Sequence, residues 1–263
     1  DIQDVGVRFY TYESTMGNGL KAAAANKLKY FVLDRPNPIT GHYVAGPIAD
    51  PTKLSFTAFY RTPVSHGMTI GELATMFNEE MKIGADLTVI KMENWSRDQW
   101  YDQTGLTWIN PSPNMRNLMQ ATLYPGICLI EATNVSVGRG TDQPFEWFGA
   151  PYIDAKRLAA ELNAAGLAGV RFVPIEFTPA KGHKLGGQKC GGIYTMVTDR
   201  EAIDSVHVGL TVAWALKKVC GDKFEYAKVN NLLVNQKTLD TLGKADSPKD
   251  ISKVWQDDLD AFK

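Results

Sequence analysis

The chain has 263 residues, 44 % of them hydrophobic, and a formal net charge of −1 at pH 7. That length supports one large domain or two modest ones, and with no basic block longer than Lys217-Lys218 the charge argues against a nucleic-acid partner, which needs a concentrated positive surface. Three cysteines (Cys128, Cys190, Cys220) without CxxC spacing argue against a disulfide framework or a structural zinc site, and no stretch reaches the ~20 apolar residues of a membrane span.

In chain order, Asp1-Ile2-Gln3-Asp4-Val5-Gly6 reads as the carboxyl end of a buried strand whose apolar start is absent. The sequence is therefore read as a processed or partial chain, and a missing signal peptide says nothing about export. Residues 12–26 are helix-compatible around the run Ala22 to Ala25, and the apolar run Tyr30-Phe31-Val32-Leu33 predicts a strand covered on both faces. Thr69-Ile70-Gly71-Glu72 is a capping box that opens a helix to about residue 81. A strand is expected over 87–90, a helix over 114–122 and another buried strand over 127–130. Strands alternating with helices predict an α/β fold with a parallel, doubly wound, Rossmann-like sheet, incomplete at its amino terminus.

The second half changes character. Asp154 is placed to cap a helix ended by Gly166, followed by strands over 170–177 and 193–197 and an amphipathic helix over 204–219. Helix-like segments at 230–242 and 251–262 complete the chain. A boundary near Pro151 divides the Rossmann-like part, 1–150, from a smaller α+β part, 151–263.

Ligands of open parallel sheets bind beyond the carboxyl ends of the strands, and polar clusters fall at those places. Asp1 and Asp4 end the first partial strand. Asp34-Arg35-Pro36-Asn37-Pro38 follows residues 30–33, as a ligand-facing loop or as an ordinary turn ion pair. Glu131 to Thr141 follows residues 127–130. A carboxylate at such a rim is partly desolvated, which suits a general acid; a structural ion pair with Arg139 is the competing account for Glu131. Gly138 and Gly140 flank Arg139 and would let backbone approach a ligand closely, while the arginine fork matches a carboxylate. His66, just before the Thr69 box, is either a neutral histidine at a helix N-terminus or a surface loop residue. Trp95, Trp100, Trp108, Trp147 and the pair Tyr10 and Tyr12 are either stacking platforms of the kind sugar-binding clefts use or simply core. Gly17-Asn18-Gly19 lacks a third glycine, no Walker A sequence occurs and Ser136 lacks a nucleophile elbow, so nucleotide and serine-hydrolase readings fall away.

Several segments in order resemble motifs of the NamZ/YbbC family of exo-β-N-acetylmuramidases. They are Asp1-Ile2-Gln3-Asp4-Val5-Gly6-Val7-Arg8-Phe9-Tyr10-Thr11-Tyr12, Leu33-Asp34-Arg35-Pro36-Asn37-Pro38, His66-Gly67-Met68-Thr69, Pro111-Ser112-Pro113-Asn114-Met115 and Tyr124-Pro125-Gly126. Glu131-Ala132-Thr133-Asn134 with Gly138-Arg139-Gly140-Thr141, Pro144-Phe145-Glu146 and Gly149-Ala150-Pro151 continue the series. The resemblance implies an exo-acting glycosidase that removes N-acetylmuramic acid from the non-reducing end of peptide-free peptidoglycan fragments, with no metal or organic cofactor. It also implies an exported, periplasmic or secreted protein with a Rossmann-like domain and a smaller carboxyl-terminal one.

Family members carry further residues, including a Glu-His-Gly segment, ahead of the Asp-Ile-Gln-Asp motif. A catalytic carboxylate is therefore expected there, with Glu131 supplied by this chain and Asp4 as its partner within the chain otherwise. The isolated polypeptide is expected to be unstable or inactive. Substrate contacts are expected from Tyr10, Tyr12, Arg35, Asn37, His66, Asn134, Arg139 and Glu146, with Arg35 or Arg139 meeting the lactyl carboxylate of the muramic acid. The rival readings are a non-catalytic cell-wall sugar binding protein and a cell-wall esterase or amidase.

Overall fold

In the computed structural model, which describes residues 1–263, the first helix, α1, spans Tyr12–Ala25 and turns Met16, Leu20 and Ala23 inward. Strand β1 (Lys29–Leu33) follows, then the short strands β2 (Val44–Ala45) and β3 (Ser65–His66), which pair antiparallel. Helix α2 (Ile70–Glu80) opens on the predicted capping box: Glu72 N–H donates to Thr69 Oγ1 at 3.2 Å and Thr69 N–H to Glu72 Oε2 at 2.9 Å. Strand β4 (Asp86–Ile90) runs parallel to β1, Lys29 opposite Asp86 and Leu33 opposite Ile90. Met16, Leu20, Val32, Ile70, Leu73, Ala74 and Phe77 form the core between these elements.

The expectation of a β1 covered on both faces is corrected. Val32 is 5 % exposed, whereas Phe31 and Leu33 on the alternate face are 57 % and 47 % exposed, because the helices packed on this pair bury one face only.

The run expected as a strand over 127–130 is helical. Helix α3 (Leu118–Ile127), with Pro125 inside it, continues into a 3₁₀ turn over Cys128–Ile130. Every residue from Gln120 to Ile130 is buried, and a continuous apolar run does not distinguish a buried strand from a buried helix. Strand β5 (Trp147–Ala150), which the sequence reading lacked, precedes helix α4 (Ala155–Ala164). Strands β6 (Val170–Phe177) and β7 (Cys190–Val197) then build a three-stranded antiparallel sheet in the order β5-β7-β6. Helix α5 (Ser205–Cys220) is buried from Val208 to Leu216 and emerges at Lys217, and α6 (Asn230–Leu233), α7 (Gln236–Lys244) and α8 (Gln256–Phe262) follow. Asp154 and Asp204 cap α4 and α5 through the N–H groups of Arg157 and His207.

The class is thus mixed α/β, with parallel pairing confined to β1 and β4. The chain divides into Asp1–Leu118 with Phe262–Lys263, and Met119–Ala261. The division falls at Leu118 and not near Pro151, because β5 pairs with β7 and Gly126 of α3 lies backbone to backbone against Gly209 of α5. No helix is long and apolar enough to cross a membrane.

Candidate functional site

In the amino-terminal unit, the bend at Gly6 (φ +80°) turns the chain so that Asp4 faces inward. Gly6 N–H donates to Asp4 Oδ2 at 2.7 Å. His66, 1 % exposed, sits on β3 and accepts the Met68 N–H on Nδ1 at 3.1 Å, which leaves its proton on Nε2. That nitrogen lies 3.6 Å from Asp4 Oδ2 and 3.9 Å from Glu13 Oε2. His66 is therefore a buried residue and not a surface loop histidine. Glu13, in the first turn of α1, is fully buried. Burial holds its carboxyl well above the usual carboxylate range, the Asp4 charge adds to the rise and Arg8 opposes it. The α1 N-terminus favours the anion by about 0.3–1 kcal/mol, but taking a carboxylate out of water costs several kcal/mol, so the neutral acid wins. Arg8, also fully buried, donates to the carbonyls of Thr62 and Pro47 at 2.6 and 3.2 Å, and burial lowers its guanidinium to about 10 against the pull of Glu13.

The other sequence-predicted residues of this unit fall around that cluster. Asn37 is buried, donating to Met68 O at 3.2 Å and accepting the Ile39 N–H. Tyr10 is 8 % exposed and its ring packs on Tyr12, 4.9 Å between centroids. Of the two readings of Tyr10, its burial favours the core one, and burial pushes its phenol well up. Tyr12 donates to Pro111 O at 2.5 Å. Arg35 pairs with Asp1 (3.2 Å) and donates from Nε to Gln3 Oε1 (3.0 Å). Asp34 does not pair with the Arg35 guanidinium; it accepts Gly71 N–H at 2.8 Å and Thr69 Oγ1 at 2.9 Å, finishing the α2 cap.

In the carboxyl-terminal unit, Glu131 follows the 3₁₀ turn, so its rim is the end of a helical run and not of a strand. The Arg139 fork grips it, Nε on Oε1 and Nη2 on Oε2 at 3.2 Å, and Cys128 Sγ donates to Oε2 at 3.2 Å. Burial alone would lower Arg139, but the hydrogen bonds and charge of Glu131 overrule it and hold the guanidinium above its usual value. Arg139 also lies over the Phe145 ring, 5.0 Å from its centroid, and Phe145 packs edge-on to Tyr124. Burial drives the Cys128 thiol and the Tyr124 phenol well up. Lys184, on the loop between β6 and β7, donates to the carbonyls of Glu131 and Thr133. Gly138 and Gly140, both with positive φ, give close approach within the chain: a Cβ would strike the carbonyls of Gln143 and Trp147 at Gly138 and the His183 ring at Gly140.

Asn134 bridges within this unit, donating to Lys223 O at 2.8 Å and accepting from Tyr152 Oη at 2.9 Å and Glu225 N at 3.2 Å. Glu146 is 5 % exposed and accepts from Gln120 Nε2 at 3.3 Å; with the Gln143 nitrogen turned to face it, Gln143 donates to both its oxygens at 2.7 and 2.8 Å. No group of three His, Cys, Asp or Glu side chains is spaced to hold a metal ion.

Residues 1–119 match the family described as exo-beta-N-acetylmuramidase NamZ, N-terminal, and residues 122–263 match its C-terminal counterpart. The chain belongs to the NamZ family. It is 46 % identical over 226 residues to the peptidoglycan beta-N-acetylmuramidase NamZ of Bacillus subtilis (strain 168), covering 86 % of this chain and 54 % of that one. The chain thus spans about half the length of the curated relative it matches. Two crystal structures of DUF1343 family proteins from Bacteroides fragilis cover all of this NamZ-family chain and 71 % of their own, with TM-scores of 0.90 and 0.80 at 30 % and 33 % identity. The two NamZ descriptions meet at residues 119–122, beside the division of the fold at Leu118.

Sequence reasoning missed Glu13 and Lys184. Glu13 had a usable signal, a glutamate on the α1 face shared with Met16 and Leu20. Lys184 had none, since it reaches Glu131 from 53 residues away.

Proposed function

We propose that this chain carries exo-β-N-acetylmuramidase chemistry, releasing N-acetylmuramic acid from the non-reducing end of peptidoglycan fragments. The observation that carries the reading is the 46 % identity to a protein named as a peptidoglycan β-N-acetylmuramidase, through a match that includes the Glu131–Arg139 segment in the NamZ C-terminal region. Glycoside hydrolysis uses carboxyl groups at the scissile bond, one protonating the leaving oxygen. Glu131, steered by the Arg139 fork, is the carboxylate we assign to the reaction, and Asp4, beside His66, is the fallback partner within the chain. A periplasmic or secreted location accords with this reading, since peptidoglycan lies outside the cytoplasmic membrane. The Rossmann-like reading of the amino-terminal unit rests on the parallel β1–β4 pair with α1 and α2 packed on it.

The test is nitrophenol release from para-nitrophenyl β-N-acetylmuramide by the full-length protein, with Glu131→Gln and Asp4→Asn beside the wild type. Each variant is expected to fall by roughly 10²–10⁴-fold, the usual worth of a positioned acid or base. A folded Glu131→Gln protein at wild-type rate overturns the assignment of Glu131. A folded wild type that binds muramic acid without cleaving the glycoside overturns the enzyme reading in favour of a binding protein.

A further inference from the structure

We propose that the pair of carboxyl groups Asp4 and Glu13 carries one proton, resident on Glu13, and that this neutral acid keeps the Asp4 carboxylate against His66 for the reaction. The inference rests on the reading of Asp4 as a functional carboxylate. Its basis is geometric. Two carboxyl groups, one on the segment before α1 and one on α1 itself, approach the same imidazole nitrogen at 3.6 and 3.9 Å. Their side chains are 6 % and 0 % exposed, and Asp4 Oδ1, both Glu13 oxygens and His66 Nε2 have no hydrogen-bond partner. Orphaned buried polar atoms are individually costly and rare, so four around one point mark a constructed feature. Like charges this close and this dry do not both ionise.

The surroundings decide which group keeps the proton. Asp4 already has a donor for a negative charge in the Gly6 N–H at 2.7 Å, whereas Glu13 has none. His66 is committed by the Met68 N–H to the tautomer that presents Nε2–H to both carboxyl groups. The cation facing Glu13 is Arg8, whose one charge balances one carboxylate and not two. The Tyr10 phenol, which feels the Asp4 charge, is held neutral by burial. One guanidinium, one carboxylate, one carboxylic acid and one neutral imidazole leave the interior without net charge. Glu13 is on this account a positioning residue that acts through Asp4 and His66.

The experiment has two arms. Infrared spectra of the wild type and Glu13→Gln at neutral pH should differ by the C=O stretch of a protonated carboxylic acid, present in the wild type only. Steady-state kinetics of Glu13→Gln, which keeps a neutral hydrogen-bonding group of the same shape, should retain kcat and the pH profile. Glu13→Leu should lose kcat on the order of 10²-fold, the effect of a misplaced catalytic group, with KM nearly unchanged. Absence of the infrared band in the wild type overturns the proton on Glu13. A folded Glu13→Leu protein with the kcat and pH profile of Glu13→Gln overturns the positioning role. A wild type that shows the band but cleaves no muramide overturns the muramidase reading and the positioning role with it, while upholding the proton on Glu13.

Discussion

Glu13 is a residue at which stability and proton binding are linked. Its folded-state carboxyl lies well above the ordinary value because burial, and then Asp4, penalise the anion. A raised carboxyl binds a proton in the folded state that the unfolded chain has already released. Its contribution is therefore fully present below the unfolded value and is lost as pH rises through the folded one. Urea unfolding at a series of pH values from mildly acidic to alkaline should show a falling midpoint for the wild type and a flatter line for Glu13→Gln. Parallel lines for the two proteins would show that Glu13 does not titrate with folding. The same residue marks a limit of sequence reading: its place on the α1 face of Met16 and Leu20 signals burial, but its partners Asp4 and His66 converge from before α1 and from β3 and leave no local signal.

Helices and strands with local signals were legible, and those fixed by distant partners were not. The Thr69–Glu72 box, the Asp154 and Asp204 caps and the apolar runs of β1, β4 and β6 each announce themselves within a few residues. Helix α3 did not, because every side of it is covered and no polar stripe betrays its period. Strand β5 has four residues and owes its form to β7, more than forty positions on in the chain. The crossing of α3 and α5 depends on two positions: a Cβ at Gly126 would overlap the Ser205 carbonyl, and one at Gly209 would overlap the Gly126 backbone. Neither helix can yield without moving the segment that leads to Glu131 or the one that follows β7. Gly209→Ala should therefore destabilise the protein by about 3 kcal/mol, the upper range for overpacking, since backbone must move where a side chain could otherwise re-rotate. Chemical denaturation measures it, and a loss within the range of a neutral surface change, about 0.5 kcal/mol, would show that the helices do not need this contact.

At the scale of the whole molecule, the ordered motifs pick out two groups of residues, and the contacts within each group separate side chains held by the fold from those with partners they can exchange. Asn37, Asn134 and Glu146 are engaged in hydrogen bonds of the fold, and the glycines around Arg139 serve packing within the chain. The two arginines offered for the lactyl carboxylate differ in the same way. Arg139 is committed to Glu131 by a two-point grip and by the Phe145 face beneath it. Arg35 is held by Asp1, whose side chain is 50 % exposed, in a surface pair worth at most about 1 kcal/mol. Exchange of that partner for a carboxylate costs little, so under the proposed function Arg35 is the candidate discriminator and Arg139 the candidate support for Glu131. Lysine keeps the charge of either but cannot reproduce the fork. Arg139→Lys should lower kcat on muramides and glucosaminides alike, because it loosens Glu131. Arg35→Lys should narrow the preference for N-acetylmuramides over N-acetylglucosaminides by roughly tenfold or more, the worth of a lost charge-assisted hydrogen bond of about 1.5–3 kcal/mol. The ratio of kcat/KM for the two nitrophenyl glycosides reads both effects. A preference unchanged in Arg35→Lys but collapsed in Arg139→Lys would reverse the two roles, and would mean that the substrate carboxylate displaces Glu131 from the Arg139 fork on binding.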